Sequence, residues 1–159
     1  MSASVKTRVA TLSDIDVLVG LMCDFYAEAQ FLLHQQPAAR TFAALLEDPR
    51  FGQVWLMECD DAPAGFVVLT VGFSMEYGGL RGFVDDFYVA APYRNRGLGH
   101  AALEEVKRAC RNRGVRALLV EVGPDNEAAL NAYHSVGFVD TGHSLLKLEL
   151  APAVHEPRP

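Results

Sequence analysis

Apolar positions in this chain fall first at helical spacing and later at strand spacing. After a polar leader, residues 5–10 predict a first strand. Ile15, Leu18, Val19, Met22, Phe25, Tyr26 and Ala29 then share one helical face, which predicts a helix of roughly 14 to 17 residues. Thr11 or Ser13 suits its N-cap, and Asp14 and Asp16 lie in the first turn, where carboxylates complement the helix dipole. Residues 31–36 predict a loop, and Pro37 suits the opening of a second helix with Phe42, Leu45 and Leu46 on its apolar face and Pro49 at its stop. Both helices are expected to pack on the core, with a substrate wall as their second use.

From Gly52 the period shortens. Residues 53–59 and 64–73 predict strands around Asp60-Asp61-Ala62-Pro63, a hairpin turn, and residues 74–81 predict a glycine-bearing connection. A strand over 83–89 follows, then a helix from about Gly97, a strand over 115–122, and a helix opening at Asn126. Two short strands, 138–141 and 144–150, surround Gly142. The tail 151–159 carries three prolines and is expected to be extended or disordered. Early hairpins followed by strand–helix–strand units imply an α+β fold, a mixed sheet with helices on its faces. Residues 1–150 read as one domain with 151–159 as its tail.

Composition narrows the function classes. The 159 residues are half apolar, enough for one domain with a real core. A net charge of −6 argues against a general nucleic-acid binder and is compatible with a cationic substrate or with solubility alone. Cys23, Cys59 and Cys110 lie far apart, which supports neither a zinc site nor a disulfide scaffold, and buried reduced thiols are expected. His34, His100, His134 and His143 have no metal-ligand spacing, so no metal is expected. No run approaches a membrane span, and the first residues lack a secretory h-region, so a cytoplasmic location is the default expectation.

The loop Arg94-Asn95-Arg96-Gly97-Leu98-Gly99, leading into a helix, is the candidate chemistry. A helix start gathers free backbone N–H groups and the positive dipole end, which suits phosphate. Gly97-x-Gly99, with Glu121 roughly twenty residues on, loosely fits a dinucleotide fingerprint. The preceding strand ends near Val89, however, too far from the first glycine, and the remaining chain is too short for the usual parallel sheet.

The longer run Val84-Asp85-Asp86-Phe87-Tyr88-Val89-Ala90-Ala91-Pro92-Tyr93-Arg94-Asn95-Arg96-Gly97-Leu98-Gly99 resembles the acetyl-CoA-binding segment of the GNAT N-acetyltransferase superfamily. That family's Q/R-x-x-G-x-G/A signature is met by Arg94, Gly97 and Gly99. Residues 119–126, the helix carrying Ala128, Ala129 and Tyr133, and Gly137-Phe138 resemble its next strand and helix. The resemblance implies a mostly antiparallel, twisted mixed sheet of about six to seven strands. It implies acetyl-CoA as co-substrate, an amine acceptor, and a possible homodimer. Backbone N–H groups of Asn95, Arg96, Gly97, Leu98, Gly99 and His100 would cradle the pyrophosphate, with the bare glycines letting it approach. The strand edge at Phe87, Tyr88 and Val89 would pair with the pantetheine arm. Asn126 would hydrogen-bond that arm where Ala129 leaves room, although Asn126 also suits a helix N-cap. Arg108, Arg111 and Arg113 complement a helix C-terminus, which is the expected role rather than phosphate binding.

Acetyl transfer to an amine needs a base, because an ammonium of pKa about 10.4 cannot attack a thioester. It also needs an acid for the departing thiolate. By resemblance Tyr133 is that acid. The base is Glu121, as in ribosomal-protein N-terminal acetyltransferases, or Asp85, as in polyamine and thialysine acetyltransferases. Glu121 stands in an apolar run where burial would raise its pKa. Alternation sends Asp85 and Asp86 to opposite faces, and Asp86 is expected to be structural. A non-catalytic acyl-CoA-binding module would keep the loop and need neither group. The helices of residues 15–50 and the 74–81 loop should choose the acceptor.

Overall fold

The computed structural model describes residues 2–159. Its elements are β1 (Val5–Val9), α1 (Ile15–Glu28), β2 (Phe31–Leu33), α2 (Gln35–Glu47), β3 (Gly52–Cys59), β4 (Ala62–Ser74), β5 (Gly79–Val89), α3 (Leu98–Asn112), β6 (Ala117–Val120), α4 (Glu127–Ser135) and β7 (His155–Pro157). Five strands form one sheet in the order β1-β3-β4-β5-β6, antiparallel except for the parallel β5–β6 pair. The α+β class and mostly antiparallel sheet are as expected, but the central sheet has five strands. The expected strands 138–141 and 144–150 join no ladder. The tail, expected to be extended or disordered, is extended, and it pairs as β7 with β2 inside the expected 31–36 loop.

Alternation sorts β3 and β4 onto two cores. Trp55, Met57, Val67 and Leu69 face α3 and α4, where Leu98, Leu103 and Val106 are fully buried. Val54, Leu56, Phe66 and Val68 face α1 and α2, meeting Leu18, Met22 and Phe42. The β3–β4 turn is Asp60-Asp61, both left-handed (φ 49° and 61°), as a two-residue hairpin turn requires.

Strand β5 breaks the alternation. Val84 and Tyr88 have the same parity, yet Val84 lies in the α3/α4 core and Tyr88 in the α1/α2 core. The cause is a bulge. Leu69 pairs with Val84 and Val68 with Asp86, which leaves Asp85 without a partner in β4. Beyond it Asp86 and Tyr88 face α1, while Phe87 and Val89 face α3 and α4.

Asp14, buried between β1 and α1, anchors the first helix. It accepts from the Thr11 N–H at 2.8 Å and from both Arg8 Nη atoms at 2.9 Å. The Arg8 guanidinium, itself also bonded to Glu58, holds the Asp14 carboxyl down to about 2. A depressed carboxylate pKa stabilises the fold above the ordinary value, and this contribution is lost as pH falls through about 2. A shift of that size is worth about 2 kcal/mol. Denaturant titration of Asp14→Asn is expected to show that loss at pH 7 and little difference near pH 2. An equal loss at both pH values would remove the charge argument.

Candidate active site

The cleft opens where β5 and β6 part. Their pairing runs from Arg81–Ala117 to Val84–Val120 and stops at the Asp85 bulge. Beyond that point the outgoing chain turns away to α4, leaving a cleft of about 540 Å³. Asp85, Phe87 and Val89 line one side, Glu121, Val122, Asn126, Ala129 and Tyr133 the other, and residues 97–100 close one end.

That end gathers main-chain donors at a helix start. Asn95 (φ 62°) and Gly97 (φ 80°) are both left-handed, and Gly97 is the N-cap of α3. The first-turn N–H groups of Leu98, Gly99 and His100 have no partner within the helix. Gly99 has a packing reason for being bare: a Cβ there would stand 2.9 Å from the Phe87 ring. The loop thus lies directly on β5. These features fit a pyrophosphate approached by main-chain donors.

The side chains of the loop do other work. Arg94 donates from Nε to the Val89 carbonyl at 2.8 Å and from Nη2 to Glu28 of α1 at 2.7 Å, and it lies over the Tyr88 ring. Arg96 lies over the Tyr93 ring. His100 Nδ1 is 3.3 Å from Ser135 Oγ, tying α3 to the end of α4. Asn126 caps α4, accepting from the Ala129 N–H at 3.1 Å. The Tyr88 ring stacks on Phe25 in the α1 core, and its hydroxyl donates to Glu28 at 3.1 Å. Arg108 pairs with Glu105, and Arg113 donates to the Pro49 carbonyl at 2.6 Å, both structural contacts as expected.

Four acidic or phenolic groups surround the bulge. Tyr133 is buried between Phe87 and Phe138, with ring centroids 5.8 and 5.4 Å away. Burial, helped by the Asp86 charge, pushes its phenol up to about 12, so it remains a proton donor at neutral pH. Glu121 does not have the buried strand position expected of it. β6 ends at Val120, and Glu121 is exposed on the cleft rim because the two strands have already separated. Asp85 is exposed in the bulge, its carboxyl raised by partial desolvation and then by Glu121.

Asp86, expected to be structural, faces α1 on the other side of the strand. It is half-buried and accepts from the Tyr26 hydroxyl at 3.3 Å on each oxygen. Burial, then the neighbouring Asp85, pushes it up to about 7 against the lowering effect of Tyr26. Simple alternation hides this residue, because the bulge changes which side chains neighbour one another. Tyr26, 60 positions away, is its partner, and only the fold brings the two together. The cysteines are free, with Cys59 and Cys110 buried and Cys23 half-buried. Among the described residues no group of side chains could hold a metal, and no helix is long and apolar enough to cross a membrane.

Comparison with known proteins agrees with this geometry. Residues 19–138 match the Acetyltransferase (GNAT) family. An uncharacterized N-acetyltransferase, YycN, from Bacillus subtilis (strain 168) is 36% identical over 59 residues, covering 37% of this chain and 38% of that protein. An integron cassette protein, HFX_CASS3, from the mobile metagenome of Cole Harbour Salt Marsh superposes with a TM-score of 0.87 at 49% identity, covering 94% of this chain and 93% of the other. The aminoglycoside N-acetyltransferase AAC(6')-Iy in complex with CoA has the same fold, with a TM-score of 0.80 at 15% identity over 95% of this chain and 98% of its own. With the family match spanning most of its length, the chain belongs to the acetyltransferase (GNAT) family, whose members use acetyl-CoA.

Proposed function

We propose that this chain moves an acetyl group from acetyl-CoA to a primary amine, of a small molecule or a peptide. The observation that carries the reading is the cleft at the β5 bulge, which has phosphate-type donors at one end and Tyr133 in its wall, with Asp86 next to the bulge on the strand face towards α1. When bound, acetyl-CoA supplies an activated thioester. The chain's residues then bind, orient and move protons. N–H groups of residues 97–100 hold the pyrophosphate, and the free β5 edge at Phe87–Val89 orients the pantetheine arm.

Asp86 takes the proton from the acceptor ammonium, directly or through one water. Its pKa near 7 keeps it available as a base at neutral pH while leaving it basic enough to act. Tyr133 returns a proton to the departing sulfur. The two states match, since ionised Asp86 helps Tyr133 to keep its proton. Asp85 and Glu121, the carboxylates first expected to act as base, stand at the cleft rim, where their charge attracts a cationic amine.

The test is CoA release across a panel of polyamines, aminoglycosides and peptide amines. Tyr133→Phe is expected to lower kcat by about a hundredfold or more, with acetyl-CoA affinity nearly unchanged by calorimetry. Unchanged kcat would remove the acid role. Tight acetyl-CoA binding without transfer to any amine would make the chain a binding module.

A further inference from the structure

Glu28, at the end of α1, lines the cleft beside the loop before α3, yet both of its carboxylate oxygens are already engaged. Arg94 Nη2 donates to Oε1 at 2.9 Å and to Oε2 at 2.7 Å, and the Tyr88 hydroxyl donates to Oε1 at 3.1 Å. The guanidinium lies over the Tyr88 ring, 5.6 Å from its centroid, and that ring is stacked on Phe25 at 5.3 Å. A half-exposed ion pair alone is worth little. This one belongs to a network drawn from α1, β5 and the loop, and a network holds its geometry better than an isolated pair.

The same arginine bears on the strand. Its Nε donates to the Val89 carbonyl at 2.8 Å. The Tyr88 carbonyl points to β4, since a Cβ on Gly65 would meet it at 2.3 Å. Successive carbonyls along a strand point to opposite edges, so those of Phe87 and Val89 point to the edge that β6 has left. Arg94 therefore covers one acceptor of the open edge, and Glu28 holds it there.

Resting on the reading of the cleft as an acetyl-CoA site, we propose that Glu28 is a positioning residue for the donor: by keeping Arg94 on the Val89 carbonyl, it leaves the pantetheine arm a single register along β5. An arm that pairs as an added strand takes whichever main-chain groups the edge leaves open. With the Val89 carbonyl covered, those are the Val89 N–H and the groups of Phe87. The bound pyrophosphate competes for the guanidinium, because arginine suits phosphate and carboxylate alike. Glu28, steadied by Tyr88, opposes that transfer. Without its carboxylate Arg94 turns to the phosphate, the Val89 carbonyl opens, and the arm gains a second register that carries the thioester away from Tyr133. Glu28 thus acts on the donor, although its charge and place in the cleft suit a cationic acceptor.

Glu28→Ala is expected to lower kcat by about tenfold, with acceptor KM nearly unchanged. By calorimetry the nucleotide fragment of CoA, which ends at the pyrophosphate, should bind this variant at least as tightly as wild type. The register is read by NMR from an isotope label in the Val89 carbonyl. In wild type that signal should hardly move when acetyl-CoA binds, and in Glu28→Ala it should move clearly. Arg94→Gln, which keeps the Q/R-x-x-G-x-G/A pattern, should lower kcat to a similar degree, and adding Glu28→Ala to it should cost little more. Should Glu28→Ala fail to fold, Arg94→Gln carries the same measurements. Unchanged kcat, or a raised acceptor KM alone, overturns the proposal. So does a Val89 signal that responds alike in both chains, and so does a loss of fragment binding that matches the loss of acetyl-CoA binding, which marks a purely structural part. A wild type without acetyl transfer sinks the proposed function instead, and the carbonyl signal still decides the role of Glu28.

Discussion

Replacing Asp86 with asparagine is expected to lower kcat by about a hundredfold or more and to erase the acid limb of the pH–rate profile. In the wild type that limb should rise through a pKa of about 7, the value to which burial and Asp85 push this carboxyl. Stability should move the other way. A carboxyl whose pKa is raised by folding costs nothing while protonated, at low pH. The cost of burying its charge appears as pH climbs towards about 7 and persists above it. Asp86→Asn should therefore be at least as stable as wild type at pH 8 while nearly inactive, which separates lost chemistry from lost folding. Glu121→Gln and Asp85→Asn are expected to keep the limb and mainly raise KM for cationic acceptors. An intact acid limb in Asp86→Asn, together with its loss in Glu121→Gln, would return the base to Glu121.

Gly65→Ala is expected to destabilise the fold by about 3 kcal/mol or more, beyond the usual overpacking cost. Gly65 pairs with Val89 in the β4–β5 ladder. A Cβ there would stand 2.3 Å from the Tyr88 carbonyl oxygen and 3.1 Å from Val89 Cα. Those are main-chain atoms of a paired strand, so no side-chain rotation relieves the clash. The melting temperature should fall by roughly 6 to 12 °C for a chain of this size. Gly72→Ala is the control, because its Cβ would meet nothing within 4 Å. A Gly65→Ala melt indistinguishable from that of Gly72→Ala would contradict the packing argument. The strain also falls on the end of β5 that borders the cleft, so whatever folded protein remains should bind acetyl-CoA more weakly.

The helices and the glycine loop before α3 are legible because their signals are local. Apolar spacing placed α1, and the Arg94, Gly97 and Gly99 pattern placed the turn into α3. What stayed hidden depends on partners distant in the chain. The bulge at Asp85 has no residue signature: Val84 and Tyr88 are both large and buried, and nothing in their order says that they face different cores. Asp86 therefore reads from the sequence as a structural position, and its contact with Tyr26 appears only in the fold. Glu121 looked buried because its neighbours are apolar, yet β6 has already left β5 when the chain reaches it. The strand expected at 144–150 pairs with nothing among the described residues, because alternation along a segment does not say whether the fold offers it an edge. The three-residue β7 was invisible beneath its prolines.

The two cores on opposite faces of the sheet have an evolutionary corollary. Phe87, Val89 and Tyr133 rest on the α3/α4 side, and Phe25, Tyr26 and Tyr88 on the α1/α2 side, with a layer of paired backbone between them. Substitutions in well-separated places without shared partners combine nearly additively. Under the proposed function, substitutions on the α1/α2 side can therefore accumulate without disturbing the α3/α4 side, which carries residues 97–100. Arg94, reaching from the loop to Glu28, is the visible exception, a crossing point at which such drift would be constrained.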